Sequence, residues 1–160
     1  MVTEDAALTA VLVDPHNPTG PWQGAFRVGH FDAVAHRYAL EVAGGVDGLA
    51  LTHLDGSAAT PSLRICRSYQ CPSERVTRLE PGPFQDLAYQ EALTVRLQGA
   101  QPVLDPTAPV DWVSAVSAAL DVPVVLTSDG PTTADKVARD HRLGSLAAPG
   151  RAARFPSLGS

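Results

Sequence analysis

Residues 23–55 read QGAFRVGHFDAVAHRYALEVAGGVDGLALTHLD: a basic glycine loop, an amphipathic helix, and an apolar strand ending in a carboxylate. The helix phase is carried by Phe31, Val34, Ala35, Tyr38, Ala39 and Val42, at i, i+3, i+4, i+7, i+8 and i+11, with Asp32, His36, Arg37 and Glu41 on the other face. Gly44 and Gly45 stop it. Residues 48–52, GLALT, form the short apolar run that a strand covered on both faces requires, so the stretch predicts an α-to-β unit of a parallel sheet. Thr52, His53, Leu54 and Asp55 then fall at the carboxyl end of that strand, where open α/β sheets bind ligands.

Outward from this unit, residues 56–62 read as a small-residue loop, and residues 63–69 alternate Leu, Ile and Cys with Arg and Ser as a strand does. Residues 72–83 suggest a hairpin-like excursion around 74–79. Residues 84–98 fit either one helix or a helix followed by a strand, because LTVRL at 93–97 alternates. Pro109 and Asp111 signal a helix over 111–120, with Trp112, Val113, Val116 and Leu120 on one face. Residues 122–127, VPVVLT, predict a second buried strand with Pro123 near its start. Upstream, residues 8–13 suggest an edge strand and residues 14–21 a turn-rich loop. Residues 1–142 are thus expected to form one α/β domain, and 143–160, rich in Gly, Ser, Ala, Pro and Arg, a flexible tail.

The 160 residues suffice for one domain with a core, since a chain of this size buries roughly 70% of its unfolded surface. A net charge of −5 argues against a general nucleic-acid surface. Among 12 basic residues Lys136 alone is a lysine; the others are arginines, suited to fork-like contacts with phosphate or carboxylate. Cys66 and Cys71 are too few and wrongly spaced for a zinc site or a disulfide framework, and read as a buried strand cysteine and a loop thiol. With no secretory leader pattern and no apolar run of membrane-spanning length, the expectation is a soluble cytoplasmic protein without a membrane partner.

RVGHFDAVAHRYALEVAGGVDGLALTHLD resembles the segment of adenylosuccinate synthetases that follows a TTGRxRR loop and continues R-x-G-W-x-D, a helix and LTKLD. In the same order, SLRICRSY at 62–69 is similar to the family's next strand and LTSDGP at 126–131 to its S-x-G-P near the C-terminus. Val2-Thr3-Glu4 is similar to the P-T-E before the arginine loop. Collinear matches along most of the chain are more specific than any one short motif.

The resemblance implies a P-loop-NTPase-like α/β fold of which this chain holds the C-terminal part, with a partial, mostly parallel sheet whose remaining strands lie N-terminal. It implies a GTP- and Mg²⁺-dependent ligase of purine biosynthesis that joins IMP to L-aspartate, working as a homodimer. Asp55 would accept the N1–H and exocyclic amine of guanine, beside Thr52 and His53; His53 stands where the family has lysine. Ser128 and Gly130 would form the other side of that base pocket. Gly24 and Arg27 align without a gap onto the glycine and last arginine of TTGRxRR, the loop that holds aspartate and IMP; a second register, through Thr19 and Gly20, needs an insertion. His30, at the family's tryptophan, reads as structural.

The family's phosphate loop, catalytic Asp and His, and metal ligands belong to its N-terminal half. This sequence holds no G-x-x-x-x-G-K-[ST] and no lysine before Lys136. A phosphoryl-transfer site without its phosphate loop lacks the positioning that supplies nearly all the catalysis, so the chain is expected to be inactive alone, with no catalytic residue of its own. Two alternatives stay open: a non-catalytic module pairing with a full-length synthetase, and part of a variant, diaminopurine-type synthetase that uses ATP or GTP.

Overall fold

The computed structural model describes residues 2–12, 19–22 and 24–139. The tail expected over 143–160 and residues 14–18 of the expected loop lie outside the described residues.

Two strand-helix units are stacked along the chain. β1 (Phe31–Asp32) leads directly into α2 (Ala33–Val42), which the Asp32 carboxylate caps by accepting from Ala35 N–H at 3.0 Å. Gly44 and Gly45, at φ 81° and 87°, end the helix, and Gly45 N–H returns to the Leu40 carbonyl at 2.8 Å. The expected stop is therefore found, but the expected apolar face is not. Ala33 and Val34 are fully buried and Tyr38 half-buried, whereas Ala35, Ala39 and Val42 are exposed. The helix sits between two core clusters, with Val34 and Tyr38 turned to one and Ala33 and Leu40 to the other, so its inward face is rotated from the one counted from Phe31, which lies in β1. Asp32, assigned to the polar face, is 6% exposed.

β1 pairs in parallel with β3 (Ile65–Gln70), which also pairs antiparallel with β4 (Arg75–Val76) and with β5 (Gln101–Leu104). β3 and β4 form a hairpin closed by Cys71 N–H on the Glu74 carbonyl at 2.9 Å, so the excursion expected over 72–83 supplies only its second strand and the turn lies earlier, at 71–74. α4 (Leu87–Gln98) is capped by Asp86 and takes up all of 93–97 as helix, so the alternation there marks no strand. That strand comes later, as β5, behind Gly99. Cys66, Tyr69, Cys71, Val76 and Leu79 fill this half of the core together with Val34. Both cysteines are buried free thiols.

The second sheet has the order β2-β6-β7, with β2 (Leu49–Leu51) parallel to β6 (Val124–Ser128) and β7 (Lys136–Ala138) antiparallel to β6. α5 (Trp112–Leu120), capped by Asp111 as expected, packs Val116, Ala119 and Leu120 against Ala33, Ile65 and Val124 and so joins the two sheets. Arg37 reinforces the joint, its Nε donating to the Ala119 carbonyl at 2.9 Å and its Nη1 to that of Thr77 at 3.0 Å.

β2 differs from the expected doubly covered strand. It lies at the sheet edge, with Leu49 and Leu51 half-buried and Ala50 exposed. The edge strand expected over 8–13 is likewise not found among its described residues, 8–12: 6–11 are helix α1 (Ala6–Val11), because the Asp5 carboxylate accepts from Ala7 and Leu8 N–H and turns Leu8 inward. Residues 54–58 of the region expected as strand end and loop form a one-turn helix, α3 (Leu54–Ala58). The architecture is α/β with mixed sheets.

Candidate nucleotide-binding site

Parallel pairing brings the carboxyl ends of β2 and β6 to one rim, and antiparallel pairing brings the start of β7 to the same rim, with Ser128 opposite Lys136. A cavity of about 810 Å³ opens there, within the volume range of small-molecule sites. Thr52, His53, Asp55, Ser128, Gly130 and Arg27 all line it, although they are spread over a hundred residues of sequence. Gly24 does not.

His53 is the pivot of the first wall. Its backbone is left-handed (φ 59°, ψ 34°), a conformation uncommon outside glycine but one that histidine visits more than most. The turn is held because the His53 carbonyl accepts both Ser57 N–H and the Ser57 hydroxyl at 3.1 Å, while the ring Nδ1 lies 3.2 Å from the Thr52 hydroxyl. Asp55 follows in the first turn of α3, exposed, its carboxylate making no side-chain hydrogen bond among the described residues. An ionised carboxylate of this kind is an acceptor for two parallel N–H donors.

The second wall is the turn after β6. Ser128, 4% exposed, donates its hydroxyl to the Gly130 carbonyl at 3.0 Å, and Asp129 N–H donates to the Asp135 carbonyl at 3.0 Å. Thr132 and Asp135 form a capping box over a single 3₁₀ turn, with Asp135 Oδ2 accepting the Thr132 hydroxyl and N–H at 2.6 and 2.7 Å. Both contacts hold the Asp135 carboxyl below its ordinary value, the Thr132 hydroxyl contributing most. Gly130 leaves no room for a side chain here: a Cβ would stand 2.8 Å from Asp135 Cγ and Oδ2.

The third element is the arginine loop. Gly24, at φ 71°, bridges Gly20 across a short turn away from the cavity. Arg27 reaches the wall, but its Nη1 lies 3.2 Å from Glu4 Oε2, joining two segments that sequence placed apart. Around that contact Glu4 bridges Gly29, and His30 N–H donates to the Thr3 carbonyl at 2.9 Å. The His30 ring accepts Arg64 N–H on Nδ1 at 3.1 Å, a structural place behind the loop.

Sequence reading did not assign Leu12, Phe31, Leu63 or Trp112 to this cavity, and they supply its apolar floor. Nothing in their local pattern separates a pocket wall from a core face. Lys136 was also not assigned, although its status as the single lysine was a usable signal. Among the described residues no three His, Cys, Asp or Glu side chains converge where they could hold a metal ion. No described helix is long and apolar enough to cross a membrane.

A family model for adenylosuccinate synthetase matches residues 19–137. The chain is 40% identical over 73 residues to the adenylosuccinate synthetase of Myxococcus xanthus, a match covering 46% of this chain and 16% of that protein. It is 30% identical over 125 residues to that of Vibrio vulnificus, covering 72% and 28% respectively. Its fold superposes on the structure of fully ligated adenylosuccinate synthetase from Plasmodium falciparum with a TM-score of 0.66 at 16% identity, over 88% of this chain and 36% of that one. The chain thus spans under a third of the length of these sequence relatives. On the extent of these matches, and with the rim and its turns in the same chain order as the quoted motifs, the chain belongs to the adenylosuccinate synthetase family.

Proposed function

We propose that this chain supplies the nucleotide-base end of an adenylosuccinate-synthetase-type ligase, binding the guanine of GTP between Asp55 and the Ser128-Asp129-Gly130 turn. The observation that carries this reading is the convergence of Thr52, His53, Asp55, Ser128 and Gly130 on one cavity. A carboxylate with no side-chain hydrogen bond among the described residues discriminates for guanine because N1–H and the exocyclic amine offer it two donors, a pair adenine lacks. Arg27, at the same cavity, serves the loop that holds L-aspartate and IMP, with Glu4 orienting its guanidinium. Phosphoryl transfer then depends on a phosphate-binding, metal-holding half of the synthetase, since the described residues offer neither group.

The test is reconstitution. The chain is combined with the N-terminal half of a bacterial relative and assayed for ligation of IMP and L-aspartate with GTP or ATP. GTP-dependent activity that disappears in Asp55→Ala supports the reading; equal use of ATP contradicts the guanine assignment and favours the variant synthetase. A second reading, a module that pairs with an intact synthetase subunit, is favoured by one observation: the outer edge of β2 pairs with no strand among the described residues. Co-purification with a full-length synthetase but no nucleotide binding would select it.

A further inference from the structure

We propose that Lys136 reads the oxo edge of the base, as the counterpart of Asp55 on its amino edge; the inference rests on the base-pocket reading above. Strand order places β6 between the two residues, with Asp55 following β2 and Lys136 opening β7 opposite Ser128. Asp55, in the first turn of α3, and Lys136, at the start of β7, thus come to one rim from the two sides of β6. Both line the cavity.

The Lys136 ammonium donates one hydrogen bond to the Gly130 carbonyl, which fixes the charge at the pocket wall. An ammonium has three donors and no acceptor, so two N–H groups are left for a ligand. The acidic neighbour on the same turn, Asp135, has its carboxylate engaged by Thr132. Guanine presents O6 and N7 as adjacent acceptors beside its N1–H and amine donors, whereas adenine replaces O6 with an amino donor. A cation at this place therefore favours an oxo purine and opposes an amino purine, and the acceptor Asp55 and donor Lys136 together match the guanine outline.

The experiment is a calorimetric titration of the full 160-residue chain with GDP, ADP and the diphosphate of 6-thioguanosine, which keeps N1–H and the amine but puts a weakly accepting sulfur in place of O6. In wild type GDP is expected to bind about tenfold or more tighter than the 6-thioguanosine nucleotide, the scale of one charge-assisted hydrogen bond. Lys136→Met is expected to collapse that ratio towards one by weakening GDP alone, and Lys136→Arg to retain most of it. A Lys136→Met chain that weakens both nucleotides equally has lost only the Gly130 turn, and that result overturns the proposal. So does an unchanged ratio. A wild-type chain that does not distinguish GDP from ADP overturns the base-pocket reading itself, and with it this one.

Discussion

The Tyr69 hydroxyl donates a 2.7 Å hydrogen bond to Asp32 Oδ2 while Asp32 Oδ1 accepts Ala35 N–H at the start of α2. One buried carboxylate therefore ties β3 to the helix cap, and Tyr69, 1% exposed, has its phenol held neutral by burial first and by the adjacent Asp32. Tyr69→Phe is expected to cost about 1–3 kcal/mol, because it strips a partner from a buried acceptor. Asp32→Ala should cost more, losing the cap as well. Urea unfolding measures both, and a Tyr69→Phe change under about 0.5 kcal/mol would show that water replaces the bond, in the range of ordinary surface substitutions.

Gly48 sets how closely β2 approaches β6. A Cβ there would stand 2.7 Å from both Val125 γ-carbons, closer than real contacts allow. Gly48→Ala is expected to destabilise by about 1–3 kcal/mol through overpacking, and Val125→Ala in the same chain to recover part of it. Additive losses in a thermal-melt series would mean that the two residues do not collide.

Burial first, and then the Asp32 charge, push the Cys66 thiol up to about 11, and Cys71 is buried beside the same core. Since the thiolate is the reactive form, neither cysteine should react with a disulfide reagent at pH 8 until the domain unfolds. Thiol release that runs ahead of the loss of circular dichroism would contradict this.

Asp5, Asp111 and Asp135 all carry carboxyls lowered from 3.8, by Leu8 N–H, the Ser114 hydroxyl and the Thr132 hydroxyl respectively. Folded values below unfolded ones mean that their stabilisation is complete above the ordinary carboxylate range and is lost as pH falls through the lowered values. Melting temperature should therefore hold level from neutral pH down to about 5 and drop below about 4. Asp111→Asn, which keeps a capping oxygen but cannot titrate, should shallow the acid slope; an identical slope would remove Asp111 from this account.

How much of this was legible in the sequence depended on range. Asp111 before Trp112 and the Gly44-Gly45 stop are decided by local backbone chemistry, and both were found where expected. The rim at the ends of β2 and β6 followed from two apolar runs and the general rule for parallel strands. The misreadings arose where tertiary contacts set the phase: Asp32 looks polar in the helix pattern and is buried because Tyr69 meets it from β3. Residues 8–13 are apolar enough for a strand, but Asp5, three residues upstream, caps a helix instead. The Arg27 contact with Glu4 and the place of Lys136 opposite Ser128 depend on chain crossings that no local pattern carries.

The proposed selectivity of the base pocket for guanine is tested most directly by the dissociation constants of the 160-residue chain for GDP and for ADP. Saturable 1:1 binding of GDP is expected, about tenfold or more tighter than ADP and reduced to the ADP level in Asp55→Ala, as loss of hydrogen bonds to a charged group dictates. Equal binding of the two nucleotides, or GDP binding unchanged by Asp55→Ala, would contradict the account.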